Sequence, residues 1–106
     1  IISNHGGRQL DGTLSSIMAL KNLKNDVNAN IEVFFDGGVR SGKDIIKALS
    51  LGAKGIFMGR PYLYGLGALG KKGVEKVIEI LIKELNTTLL LAGETDVNNL
   101  GEDNLY

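Results

Sequence analysis

The chain has 106 residues, with 12 lysines and arginines against 12 aspartates and glutamates, 15 glycines, one proline, one histidine and no cysteine. Zero net charge lacks the basic excess of a nucleic-acid binder, and the absence of cysteine excludes a disulfide framework, a thiolate nucleophile and any cysteine-ligated metal. One histidine excludes a multi-histidine metal cluster, while 43% hydrophobic and 23% charged residues fit a globular domain and not a disordered or coiled-coil chain.

The chain opens on an apolar stub, residues 1–2, too short for an ordinary strand of about five or six residues. A glycine-rich charged loop, SNHGGRQLDG, follows, and then a helix over 14–23 with Ile17, Met18, Leu20 and Leu23 as its apolar residues. Residues 31–35 form a short apolar run with one Glu, ending at the loop DGGVRSG. The next helix spans 42–51: Ser41 and Asp44 make a capping box, Ile45, Ile46 and Leu49 form the buried stripe, and Gly52 stands at the C-terminal cap. A third apolar run at 55–58 leads into MGRPYLYGLG, read as loop. The longest periodic segment, 72–92, places Val74, Val77, Ile78, Leu81, Leu85 and Leu89 on one face and Lys72, Glu75, Lys76, Glu79 and Lys83 on the other, an amphipathic surface helix whose charges exclude a membrane span. The tail after Gly93, with Asp96, Asn98, Asn99, Glu102 and Asp103, reads as a polar surface segment.

Short apolar runs without alternation, each followed by a helix, are the pattern of parallel strands covered on both faces. Such strands carry their ligand sites at their C-terminal ends, and here the strand-to-helix loops hold the glycines and charges. A (β/α)8 barrel of about 250 residues averages roughly 31 per unit, so 106 residues make about three and a half units. The expected architecture is therefore α/β, the C-terminal portion of a TIM (β/α)8 barrel, with residues 1–106 as one fragment of a single domain. Open strand edges on such a fragment favour self-association.

Three loops carry candidate chemistry. In Asp36, Gly37, Gly38, Val39 and Arg40, glycines let backbone N–H groups approach an anion, and the following helix adds its dipole. Gly59, Arg60 and Pro61 repeat the design one unit later. Arg40 and Arg60 together balance a phosphate of about −1.5 to −2 charges. Tight turns with solvated arginines would explain one such loop; two in consecutive units favour a shared phosphate. The first loop holds His5 with Arg8 three positions on. Imidazole changes charge near neutral pH and suits general-base work, and guanidinium is the natural fork for a carboxylate. Base plus carboxylate anchor points to proton removal from an acid such as a 2-hydroxy acid. Asp11 either pairs with one of these residues or serves the turn alone.

In order and spacing, SNHGGRQLD, DGGVRSGKDIIKALSLGAKG and MGRPYLYGLGALGKKGV closely resemble the last part of the FMN-dependent α-hydroxy acid dehydrogenases and oxidases, among them L-lactate dehydrogenases, lactate oxidases, glycolate oxidase and flavocytochrome b2. The likeness runs from Ile1 to about Gly93, and GLGALGKKGV with the following helix is most similar to respiratory bacterial L-lactate dehydrogenases. It implies FMN as cofactor, His5 as catalytic base and Arg8 as the ligand of the substrate carboxylate. It implies Ser3 against the flavin, Asp36 on the ribityl chain, and the loop of Gly37, Gly38, Val39 and Arg40 with Gly59 and Arg60 on the phosphate. It also implies a 2-hydroxy acid substrate, with L-lactate foremost, and a quinone, cytochrome or oxygen as electron acceptor; the expected protein is cytoplasmic or peripheral at the inner membrane, and the open strand edges point to a homo-oligomer.

The family uses further residues from earlier strands: an aspartate that orients the histidine, tyrosines near the substrate carboxylate, a second arginine and a lysine near the flavin. A chain beginning at the sixth strand lacks them, so the isolated polypeptide is expected to be inactive. The alternatives are a non-catalytic FMN- or phosphate-binding fragment that self-associates, and another phosphate-binding barrel enzyme. Against the latter stand His5 and Arg8 in their motif and, for a nucleotide dehydrogenase, the missing cysteine.

Overall fold

The computed structural model describes residues 1–23, 26 and 30–105. Two strands, β1 (Phe34–Asp36) and β2 (Gly55–Phe57), pair in parallel with Phe34 opposite Gly55 and Asp36 opposite Phe57. Ile2 bridges Phe35 in parallel on the other side of β1; its N–H donates to the Phe34 carbonyl at 2.8 Å, and the Asp36 N–H donates to the Ile2 carbonyl at 2.8 Å. Spatial order thus follows chain order, with β1 between its neighbours, and all three segments end on the same side.

Strand β1 starts later than the apolar run suggests. Ile31 is exposed, while Val33 packs against the core and its carbonyl accepts the Lys54 N–H at 2.7 Å, outside the strand ladder. The strand instead extends through Asp36, so a carboxylate caps its C-terminal end. The inward face explains why: Phe35, 2% exposed, joins Leu20, Val39, Ala48, Leu51 and Ala53 in the core, with Ile2, Ile17, Ile45 and Ile56 packed around them. On the opposite face the Phe34 ring lies over Gly55, in the space a Cβ there would occupy, and meets Phe57 edge-on with centroids 6.1 Å apart. Phe57 remains 48% exposed, so this second face is apolar and only partly covered.

Four helices follow the loops: α1 (Ser16–Leu23), α2 (Gly42–Ser50), α3 (Arg60–Leu69) and α4 (Lys71–Leu91). The α2 capping box is complete, with Ser41 and Asp44 satisfying each other's backbone donors. Helix α3 occupies the segment read as a loop. Gly65 and Gly67 lower its intrinsic propensity by about 1 kcal/mol each relative to alanine, yet Pro61 suits its first turn and packing stabilises the rest. Gly70, at φ +59°, ends α3 and turns the chain into α4. The two helices cross where Gly65 meets Gly73, both buried, with backbone against backbone.

Helix α4 packs on α3 and α2 and buries Leu81 and Leu89, whereas Ile78, expected in its buried stripe, is 46% exposed. Among the described residues no helix is long and apolar enough to cross a membrane. The tail keeps its polar residues in solvent but forms two single-turn helices, and Leu105 packs against the core, so it is anchored at its end.

The α3–α4 crossing yields a direct test. A methyl group at residue 73 would collide with the Gly65 carbonyl, so Gly73→Ala should destabilise the fold by about 3 kcal/mol despite its better helix propensity. Urea denaturation measures the difference; an unchanged or higher midpoint would show that the helices do not approach this closely.

Candidate functional site

The shared strand direction gathers three loops at one end. His5 and Arg8 from the first, Asp36 to Arg40 from the second, and Gly59 and Arg60 from the third line one open groove of about 510 Å3. Ligand sites commonly fall between about 300 and 1,000 Å3. Every residue assigned to the cofactor or the substrate borders this groove except Ser3, which reaches it through Asp36: the Ser3 hydroxyl donates to Asp36 Oδ2 at 2.6 Å. Met58 and Leu63, which motif reading overlooked, join Pro61 in an apolar flank. Their adjacency to Gly59 and Arg60 was the available signal.

The first loop is a tight turn. His5 adopts φ +53°, a left-handed conformation uncommon for a side chain of its size. Its backbone N–H donates to Ser3 Oγ at 3.1 Å, and the Gly6 N–H donates to Asn4 Oδ1 at 3.1 Å. Among the described residues none hydrogen-bonds the His5 imidazole, so the ring projects into the groove without an orienting partner. Asp11 contacts neither His5 nor Arg8; its carboxylate accepts the Gly12 N–H at 2.9 Å, a local turn contact.

The second and third loops resemble each other in sequence but differ in electrostatics. At the start of α2, Asp44 Oδ2 accepts the N–H groups of Arg40 and Ser41, both at 3.0 Å, and Glu84 from α4 accepts the Gly42 N–H at 2.9 Å. Two carboxylates therefore fill the helix end that sequence reasoning offered to an anion. The loop before it stays open: Gly38, at φ +77°, has nothing within 4 Å of its missing Cβ. Helix α3 begins at Gly59 without any side-chain cap, and the space beside Gly59 is likewise open. An anion is thus offered residues 37–39 and the start of α3.

Charge supports the same placement. Arg8, Arg40 and Arg60 border the groove, and among the described residues the ion pairs are Lys71 with Glu75 and Lys76 with Glu79, away on α4. The groove's one carboxylate, Asp36, is bonded to Ser3. Three guanidinium groups facing one carboxylate make a site for more than one negative group. Loop 37–39 also borders a smaller cavity of about 310 Å3, lined by the cations Arg60 and Lys47 and the carboxylate of Asp44. Among the described residues no cluster of potential metal ligands occurs.

The family model described as FMN-dependent dehydrogenase matches residues 1–106. The chain is 50% identical over 103 residues to mouse (Mus musculus) 2-hydroxyacid oxidase 2, covering 97% of this chain and 29% of that protein. It is 46% identical over 106 residues to L-lactate oxidase of Nostoc sp., covering 100% of this chain and 29% of that one. The recombinant flavin-binding domain of baker's yeast flavocytochrome b2 superposes with a TM-score of 0.90 at 47% identity, over 96% of this chain and 27% of that one. A soluble mutant of the membrane-associated (S)-mandelate dehydrogenase from Pseudomonas putida does so at 0.89 and 41%, over 96% and 29%. The chain spans little more than a quarter of the length of these proteins. With its whole length matched by the family model, the chain belongs to the FMN-dependent dehydrogenase family.

Proposed function

We propose that this chain supplies the flavin-phosphate site and the acid–base group of an FMN-dependent enzyme that oxidises 2-hydroxy acids, L-lactate foremost, to 2-oxo acids. Residues 1–106 are then three consecutive β/α units of one (β/α)8 barrel domain. The observation that carries the reading is the convergence of His5, Arg8, Arg40 and Arg60 on one groove. Similarity to a 2-hydroxyacid oxidase and an L-lactate oxidase supports the substrate class.

The residues present fit the cofactor. The open backbone at Gly38 and Gly59, with the Arg40 and Arg60 side chains, would hold its phosphate. Asp36, already accepting from Ser3, has a second carboxylate oxygen to accept from a sugar-chain hydroxyl. Bound FMN would supply the two-electron sink that alcohol oxidation requires. Arg8 would take the substrate carboxylate in a two-pronged bond, bringing the hydroxyl-bearing carbon toward His5. His5 would accept the proton released as that carbon becomes a carbonyl. The lack of a described orienting partner for the imidazole supports a further proposal: the chain alone binds flavin without turning over. The electron acceptor is a quinone, a cytochrome or oxygen. The open edges at Ile2 and β2, together with exposed Phe57, favour association into a homo-oligomer.

Flavin binding tests the phosphate site. FMN should bind more tightly than riboflavin, which has no phosphate, and Arg60→Gln should weaken FMN binding by about tenfold or more while leaving riboflavin unchanged. Fluorescence titration measures both; equal affinity for the two flavins would rule the site out. Turnover tests the chemistry. The 106-residue chain with FMN, L-lactate and an artificial acceptor should reduce no acceptor. In a longer, active protein that contains this chain, His5→Asn should lower kcat by about 10³-fold. Enzyme-like turnover by the short chain, or an active His5→Asn enzyme, would contradict this assignment.

A further inference from the structure

We propose that Ser16, outside every motif that marks the groove, is a positioning residue that sets the His5 turn against the phosphate loop. Ser16 opens α1, is 3% exposed, and does not border the groove that holds His5. Its hydroxyl oxygen accepts the Asn4 N–H at 3.0 Å. Asn4 in turn closes the turn around His5 through the Gly6 N–H. The same hydroxyl lies against Gly37, at φ +117°: a Cβ on residue 37 would collide with Ser16 Oγ and stand 3.1 Å from Asn4 Oδ1. One buried oxygen therefore bonds the loop that carries the base and abuts the loop that carries the phosphate donors.

Two further observations make this contact matter. His5 holds a left-handed backbone conformation, which a non-glycine residue keeps only where its surroundings enforce it. The enforcing bonds are those of Ser3 and Asn4, and of the two anchors of the turn the Ser3 bond to Asp36 is exposed whereas the Ser16 bond is partly buried. Water competes less with a buried bond, so its loss is felt more. Ser16 is itself fixed, because Leu20, one helical turn on, is 2% exposed in the core. The hydroxyl thus transfers the position of α1 to the His5 backbone. The inference rests on reading His5 and Arg8 as the base and the carboxylate ligand.

Three variants test it: Ser16→Ala, Ser16→Thr, which keeps the hydroxyl, and Ser16→Val, which has the shape of threonine without it. His5 is the chain's one histidine, so its imidazole signal in a nuclear magnetic resonance spectrum is unambiguous. Ser16→Ala and Ser16→Val should speed exchange of the Asn4 amide proton by about tenfold and shift the His5 signal, with the Phe35 and Ala48 amides unchanged. Ser16→Thr should match the parent. In an active flavin-loaded protein containing this chain, Ser16→Val should lower kcat/KM for a 2-hydroxy acid by about tenfold with FMN affinity retained, and Ser16→Thr should restore it. The proposal falls if valine behaves like threonine, if core amides accelerate with Asn4, or if kcat/KM is unmoved. The resonance measurements need neither flavin nor substrate. A protein that fails to bind FMN therefore defeats the functional reading alone, and an unperturbed Asn4 defeats this inference alone.

Discussion

Parallel pairing about β1 is the constraint on which the rest depends. With Ile2 on one side and β2 on the other, three chain segments run the same way and release three loops at one end. Each loop is short of regular structure and rich in glycine, so backbone donors and charged side chains crowd there while the helices return behind the sheet. The buried Phe35 and the half-covered Phe34 and Phe57 occupy the two faces of that sheet. Strand direction, not any single contact, brings a histidine at position 5 within one groove of an arginine at position 60.

Much of this was legible because it rested on local rules. The Ser41 and Asp44 capping box, the α4 repeat and the three glycine-rich loops each follow from neighbours in sequence, and all but one of the residues assigned to cofactor or substrate border the groove. What escaped reading depends on contacts between distant segments. Helix α3 looks like a loop because Gly65 and Gly67 are poor helix formers, and only its packing on Gly73 of α4 explains the choice. Likewise Ile31 is apolar yet exposed, and Leu105, within a polar tail, reaches the core. Ser16 carried no signal at all: a serine at a helix start is ordinary, and its contacts with residues 4 and 37 appear only in three dimensions.

The second and third loops show how similar sequences acquire different electrostatic duties. Both combine glycine with arginine ahead of a helix. At α2 the helix end is neutralised within the protein by Asp44 and Glu84, leaving the Arg40 side chain and the preceding glycine to face outward. At α3 the end is uncapped, so both its backbone and Arg60 are directed at the groove. Reading the motif alone assigns them equal roles; counting their hydrogen bonds separates them.

The satisfied end of α2 has a consequence for the life of the protein without its cofactor. With the phosphate sited as proposed, its departure leaves the N–H groups of Arg40, Ser41 and Gly42 on their carboxylate partners. On that proposal this half of the cradle needs no phosphate to satisfy those donors. The ordering entropy of loading then falls on the start of α3, where donors must wait on water or ligand.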